Sequence, residues 1–194
     1  MAGNLAITLA KKGKRIILID GDIRCPAQYL LLGMSPKKEN ELGEFLKGKI
    51  DATHILLNTK RKRLGFIGGK VSYSASTEML GNIQLQALLK TCSEIVDYVI
   101  IDTPPSGMIG DAQIFAQHAD AVMVVARQNF TLAEDINEMM DDFRDNHTKV
   151  LGVVLNGVMT FDSIADSPVG DHYSRYSRYG RYGRYGKYTN NKEV

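Results

Sequence analysis

Two aspartates flanking a glycine, Asp20-Gly21-Asp22, follow directly on the apolar run Ile16-Ile17-Leu18-Ile19. A third, Asp102, follows the run Tyr98-Val99-Ile100-Ile101. A carboxylate at such a strand end can hold Mg²⁺ through its water shell, the usual way a nucleotide's metal is bound. Two aspartates two residues apart can divide the work, one at the metal and one accepting a proton. The plainer alternative for all three is that they start loops or cap helices. Arg24, two residues on, is placed to meet a phosphate or to pair with a neighbouring acid, and Asp111 reads as the cap of the helix behind it. A second reactive set closes the chain. Six of the nine tyrosines, Tyr173, Tyr176, Tyr179, Tyr182, Tyr185 and Tyr188, stand three residues apart, five of them directly behind Arg175, Arg178, Arg181, Arg184 or Lys187. A period of three fits neither helix nor strand, so packing does not set it. Gly180, Gly183, Gly186, Ser174 and Ser177 fill the gaps with the composition of a solvated segment. Tyrosines that bury nothing are hydroxyls to be modified or rings to be stacked upon.

Alternating strands and helices must position these groups. Residues 2–12 suit a helix carrying Leu5 and Leu9 one turn apart, with Gly13 as terminator. Residues 15–20 are of strand length. Leu85, Leu88, Leu89 and Cys92 form an i, i+3, i+4, i+7 stripe, which predicts a helix over 82–95. Residues 98–102, 121–126 and 150–155 are further strand runs. Leu132, Ile136, Met139, Met140 and Phe143 share a helical face, with Thr131 and Glu134 spaced as a capping box. Residues 64–67 suit another strand and 71–77 a loop, while the rest of 36–77 carries no clear pattern. Continuous apolar strands separated by helices predict an α/β fold with a parallel sheet covered on both faces and joined by right-handed crossovers. Ligands of such sheets sit beyond the carboxyl ends of the strands, where both acid-terminated runs end.

Charge divides the chain in two. The 24 basic and 22 acidic residues give +2 overall, yet the segment from Tyr173 onward is strongly basic, with Glu193 as its single acid. The remainder is therefore mildly acidic. Residues 1–171 are expected to form one nucleotide-binding domain and residues 172–194 a disordered basic tail. No apolar run approaches the ~18 residues of a membrane span. Cys25 and Cys92 are too few for a disulfide framework and read as reduced thiols of a cytoplasmic protein, Cys92 as core.

The stretch ILIDGDIRCP (17–26) resembles the Walker A′ motif of bacterial tyrosine kinases, VIIDTPP (99–105) their Walker B motif, and YSRYSRYGRYGRYGKY their tyrosine cluster. The resemblance extends over nearly the whole chain. Walker B is shared with MinD- and ParA-like ATPases of the same superfamily, whereas DxDxR with a tyrosine cluster behind it is far more specific. The resemblance implies a P-loop NTPase-like three-layer sandwich and a cytoplasmic tyrosine kinase of capsular and exopolysaccharide assembly. By the same resemblance ATP and Mg²⁺ are its cofactors, Asp20, Asp22 and Asp102 carry the chemistry, Asp22 and Asp102 hold the metal, and Asp20 is the base for the tyrosine hydroxyl. Arg24 would lie at the nucleotide, and Asn156 near the adenine or in a turn. Implied partners are a membrane-anchored polysaccharide co-polymerase that activates the kinase and holds it at the inner face of the membrane, a cognate tyrosine phosphatase, and further copies of the chain; no nucleic acid is implied.

The family's phosphate-binding loop, G-x-x-x-x-G-K-[ST], is not in this sequence, and the nearest run, Gly68-Gly69-Lys70-Val71, has Leu64 and Val71 where glycine and hydroxyl belong. The resemblance implies that this loop, the strand before it and an upstream arginine-containing oligomerisation segment precede the chain. Three other readings stand beside the kinase: a catalytically dead substrate module phosphorylated by an intact kinase, a MinD- or ParA-type ATPase, and a tail whose interleaved arginines and aromatics bind nucleic acid.

Overall fold

The computed structural model describes residues 1–74, 76–105 and 110–158; the tyrosine cluster lies outside them. Helix α1 (Ala2–Lys11) leads into strand β1 (Ile16–Asp20), and α2 (Gln28–Leu32) follows. Helix α3 (Leu42–Leu46), strands β2 (Leu57–Asn58) and β3 (Leu64–Ile67), and helices α4 (Ser76–Leu80) and α5 (Ile83–Ile95) come next. Strand β4 (Tyr98–Asp102), α6 (Asp111–Ala116), β5 (Val122–Arg127), α7 (Ala133–Asp145) and β6 (Val150–Asn156) complete the order. Among the described residues no helix is long and apolar enough to cross a membrane.

Strand β1 is the axis of the fold. It pairs in parallel with β3 on one side and β4 on the other, and β2 adds antiparallel to β3. All five of its residues are buried, as the continuous apolar run requires. Ile17 and Ile19 face a core with Leu42, Leu85, Leu88 and Phe115. Ile16 and Leu18 face the opposite core, built on Ala6, Ile7 and Ala10 of α1. Helices thus cover both faces, in the three-layer arrangement expected.

Several elements follow the sequence pattern closely. Helix α5 buries Leu85, Leu88, Leu89 and Cys92 as its stripe demands, with Asn82 Oδ1 capping the Gln84 amide. Gly13 ends α1 at φ +88°, in the left-handed region that glycine enters without a Cβ penalty. Others depart from it. Helix α1 buries Gly3, Ala6, Ile7 and Ala10, packs Leu9 partly against the same core and leaves Leu5 exposed, so the buried stripe is turned by one residue from Leu5. The expected capping box at α7 does not form: Leu132 is the N-cap, and Thr131 Oγ1 accepts instead from the Arg127 amide at 2.9 Å. The stretch 71–77 is loop only at its start, since α4 begins at Ser76.

The sheet is divided in two. The expected strands form a four-stranded sheet, β2-β3-β1-β4, and a separate parallel pair, β5-β6. Among the described residues β4 and β5 each pair on one side only. Tyr98, Met123, Val125, Leu151, Val153 and Leu155 are exposed although their sequence is that of interior strands. Open apolar strands are templates for pairing with another chain.

Residues 1–194 should therefore self-associate, with a mass in sedimentation velocity that rises with concentration. Val125→Lys, at an exposed position on the open edge, should lower that association while changing stability by less than about 1 kcal/mol. A mass independent of concentration for the unmodified chain contradicts this.

Candidate functional site

The β1–β4 ladder sets Asp20 opposite Asp102. It continues one step further, where the Gly21 amide donates to the Asp102 carbonyl at 2.7 Å. A Cβ on Gly21 would lie 2.7 Å from that oxygen and from the Phe115 ring. The glycine between the two aspartates is therefore required by close approach. The acidic ends of both strands meet at the carboxyl edge of the sheet, where open α/β folds bind ligands.

Asp20 is 1% exposed. Its Oδ2 accepts from the Ala27 and Gln28 amides, each at 2.9 Å, while Oδ1 is buried with no partner. Burial pushes its carboxyl up to about 7; the charges of Asp102 and Asp22 add to the rise and the two amides oppose it. Asp22, also buried, turns Oδ1 to the Cys25 amide at 2.9 Å. Asp102 accepts from Gln28 Nε2 at 2.6 Å. Burial raises its carboxyl as well, and the Gln28 bond works against that rise. Gln28 thus bridges both aspartates, a role no spacing signal in the sequence announces.

Arg24 turns away from this edge. Its Nε donates to Asp111 Oδ2 at 3.2 Å, one Nη to the Ser74 carbonyl at 2.8 Å, and the other to Thr77 Oγ1 at 3.2 Å. Asp111, expected to cap its helix, is the first residue of α6 behind the N-cap Gly110 and is the fully buried partner of this pair. The ion pair ties the segment after β1 to α4 and α6. Asn156 ends β6 opposite Arg127 and is exposed. The Gly68–Val71 run is occupied from within, since Glu41, itself fully buried, accepts from the Lys70 and Val71 amides. A Cβ on Gly69 would strike that carboxylate. This loop does use its amides to cradle an anion, and the anion is a side chain of the protein.

Among the described residues no three His, Cys, Asp or Glu gather into a ready cage for a metal. The acidic edge nevertheless suits Mg²⁺. It offers oxygen donors alone, two carboxylates brought together against the cost of burial, and an unpartnered Asp20 Oδ1. Mg²⁺ characteristically takes one or two carboxylates and fills its remaining positions with water and phosphate oxygens.

A family model described as an AAA domain matches residues 1–152. The tyrosine-protein kinase CpsD of Streptococcus pneumoniae serotype 4 is 34% identical, over 79% of this chain and 67% of that kinase. The chain spans 22% and 21% of two longer tyrosine kinases that it also matches. The VpsO kinase domain superposes with a TM-score of 0.72 at 26% identity, covering 80% of this chain and 76% of that one. The Mg-ADP complex of the septum-site protein MinD from Pyrococcus horikoshii gives 0.69 at 19% identity, over 79% and 62%, a likeness of fold alone.

Asp20 provides a test by pH. An acid whose folded pKa is raised from 3.8 to about 7 favours folding below the unfolded value and loses that contribution as pH rises through about 7. In chelator, urea midpoints of the protein should fall between pH 5 and pH 8. Asp20→Asn, which keeps an oxygen for the two amides, should flatten that fall and gain on the order of 2–4 kcal/mol at pH 8. Parallel pH profiles for the two proteins contradict the buried, uncompensated carboxylate.

Proposed function

Because the chain belongs to the bacterial tyrosine-protein kinases of capsule and exopolysaccharide systems, within the MinD-like P-loop ATPases, we propose that it is the catalytic part of a kinase that phosphorylates its own tyrosine tail with Mg·ATP. The observation carrying this reading is the in-register pair Asp20 and Asp102 at the carboxyl edge, together with a run of tyrosines that no packing period explains. Residues 1–171 are the nucleotide-binding domain and 172–194 the substrate tail.

The proposed chemistry is an in-line transfer. A tail tyrosine oxygen attacks the γ-phosphorus, its proton passes to Asp20, the bond to the β-phosphate oxygen breaks, and ADP leaves. A carboxylate poised near 7 suits that proton. Asp22 and Asp102 would hold Mg²⁺, which when bound neutralises charge on the phosphates. Asn156 is assigned to the adenine. Arg24 is placed to support the segment between the aspartates through Asp111, and reaching a phosphate would require it to leave that pair. The phosphates need further donors, since the chain contains no G-x-x-x-x-G-K-[ST] run and its nearest counterpart is filled by Glu41. A loop preceding residue 1 would supply them.

Regulation follows from charge. Each phosphotyrosine adds about −1.5 to −2, so about three cancel the tail's positive excess. The unmodified tail would dock on the acidic rim of a neighbouring copy, and phosphorylation would release it. A co-polymerase at the inner face of the membrane is the proposed activator, a tyrosine phosphatase resets the tail, and polysaccharide polymerisation and export are the processes controlled.

Residues 1–194 alone should bind Mg·ATP more weakly than micromolar by calorimetry. The protein extended upstream through the phosphate loop should bind it and place phosphate on the tail, read by mass spectrometry. Asp102→Asn in the extended protein should abolish transfer with its circular dichroism unchanged. Micromolar binding by residues 1–194, or transfer surviving Asp102→Asn, overturns the proposal. Light scattering of the extended protein should show assemblies that dissociate as the tail is phosphorylated; assembly and dissociation unaffected by Tyr→Phe at all six positions would remove the switch from the tail.

A further inference from the structure

One side chain joins the two halves of the acidic centre. Gln28 is nine-tenths buried and opens helix α2. Its main-chain N–H donates to Asp20 Oδ2 at 2.9 Å and its side-chain Nε2 to Asp102 Oδ2 at 2.6 Å. The opposite end of the same carboxamide, Oε1, is buried without a partner. It lies against the first turn of α1, so closely that a Cβ on Gly3 would sit 2.4 Å from it. Gly3 is therefore needed to leave room for Gln28. Asp20 Oδ1 is the other buried polar side-chain atom without a partner among the described residues. Both orphan atoms are oxygens, and both belong to this one network.

A buried polar atom left unpaired costs about 1–3 kcal/mol, so two within one network signal a group that completes them. Oxygens alone, next to carboxylates, call for a hard cation or the water it carries. A glutamine serving packing alone would be matched by apolar neighbours and paired at both ends. This one is paired at its nitrogen, to the carboxylate best placed to hold a metal, and open at its oxygen.

We propose that Gln28 is a positioning residue of the divalent-cation centre: its side-chain amide holds the Asp102 carboxylate in place beside Asp20. It supplies Asp102 with a hydrogen bond, and it fixes the spacing of the two strand-end carboxylates through a single residue. The inference rests on the reading of the acidic edge as a cation centre. It goes beyond that reading by naming a neutral side chain on a helix outside both aspartate-bearing segments.

The test uses Mn²⁺ as probe, on the whole chain and without nucleotide, read by electron paramagnetic resonance of free Mn²⁺ and by thermal melts in chelator and in excess Mn²⁺. Gln28→Leu keeps the bulk and removes both polar ends. It should weaken Mn²⁺ binding by about tenfold or more, the loss typical when a residue orienting a metal ligand is removed. Gln28→Glu places a carboxylate against Asp102. It should melt below the unmodified protein in chelator and gain more from Mn²⁺ than the unmodified protein does, because the cation relieves the repulsion. Gln28→Asn, with the same groups on a shorter arm, should fall between Leu and Gln in affinity. Equal Mn²⁺ affinity in the unmodified and Leu proteins overturns the positioning role while leaving the cation centre standing, as does a Glu variant that gains no more from Mn²⁺ than the unmodified protein. Absence of Mn²⁺ binding to the unmodified chain overturns the cation centre and Gln28's role together.

Discussion

The parallel pairing of β1 with β4 is the constraint on which the site depends. It is pinned at both ends. Where the strands begin, the Arg15 amide and guanidinium donate to the Asp97 carboxylate, and the Asp97 amide returns a bond to the Arg15 carbonyl. Where they end, the Gly21 amide reaches the Asp102 carbonyl. Because side chains alternate along a strand, a slip of one residue would turn Asp20 and Asp102 to opposite faces and Ile17 and Ile19 out of their core. Core packing and site geometry therefore enforce the same register. Asp20 is carried to the ligand edge by a fully buried hydrophobic run, and Asp102 by a half-buried one held in register against it.

That burial has an electrostatic consequence. Asp20 and Asp102 are desolvated by the same layers that hold the strands, and the hydrogen bonds supplied by Ala27 and Gln28 compensate in part. An acidic centre built this way is unfavourable when empty and ionised, and favourable once a cation arrives. The cost resides in the site, while the rigidity holding it in place comes from β1, buried on both faces, and from the Arg24–Asp111 pair behind it.

The pattern of strands and the carboxyl-edge aspartates could be read from sequence because they depend on local rules, apolar runs of strand length and the stripe from Leu85 to Cys92. What escaped depends on tertiary closeness. Leu5 lost the core face of α1 to Ala6, Ile7 and Ala10, because which stripe of the helix faces β1 is set by the packing of its neighbours rather than by its own leucines. Thr131 kept the right spacing for a cap yet found the Arg127 amide first. Gln28 and Glu41 carry no motif, and their importance lies in partners distant in the chain, Asp102 for one and the Lys70 and Val71 amides for the other.

Anomalous scattering from Mn²⁺ in crystals grown with Mn²⁺ and ADP tests the central claim most directly. The account predicts one strong peak at the carboxyl edge, held by Asp22 and Asp102 directly or through a single water, with Asp20 beside it. A metal bound away from Asp22 and Asp102 would contradict the account.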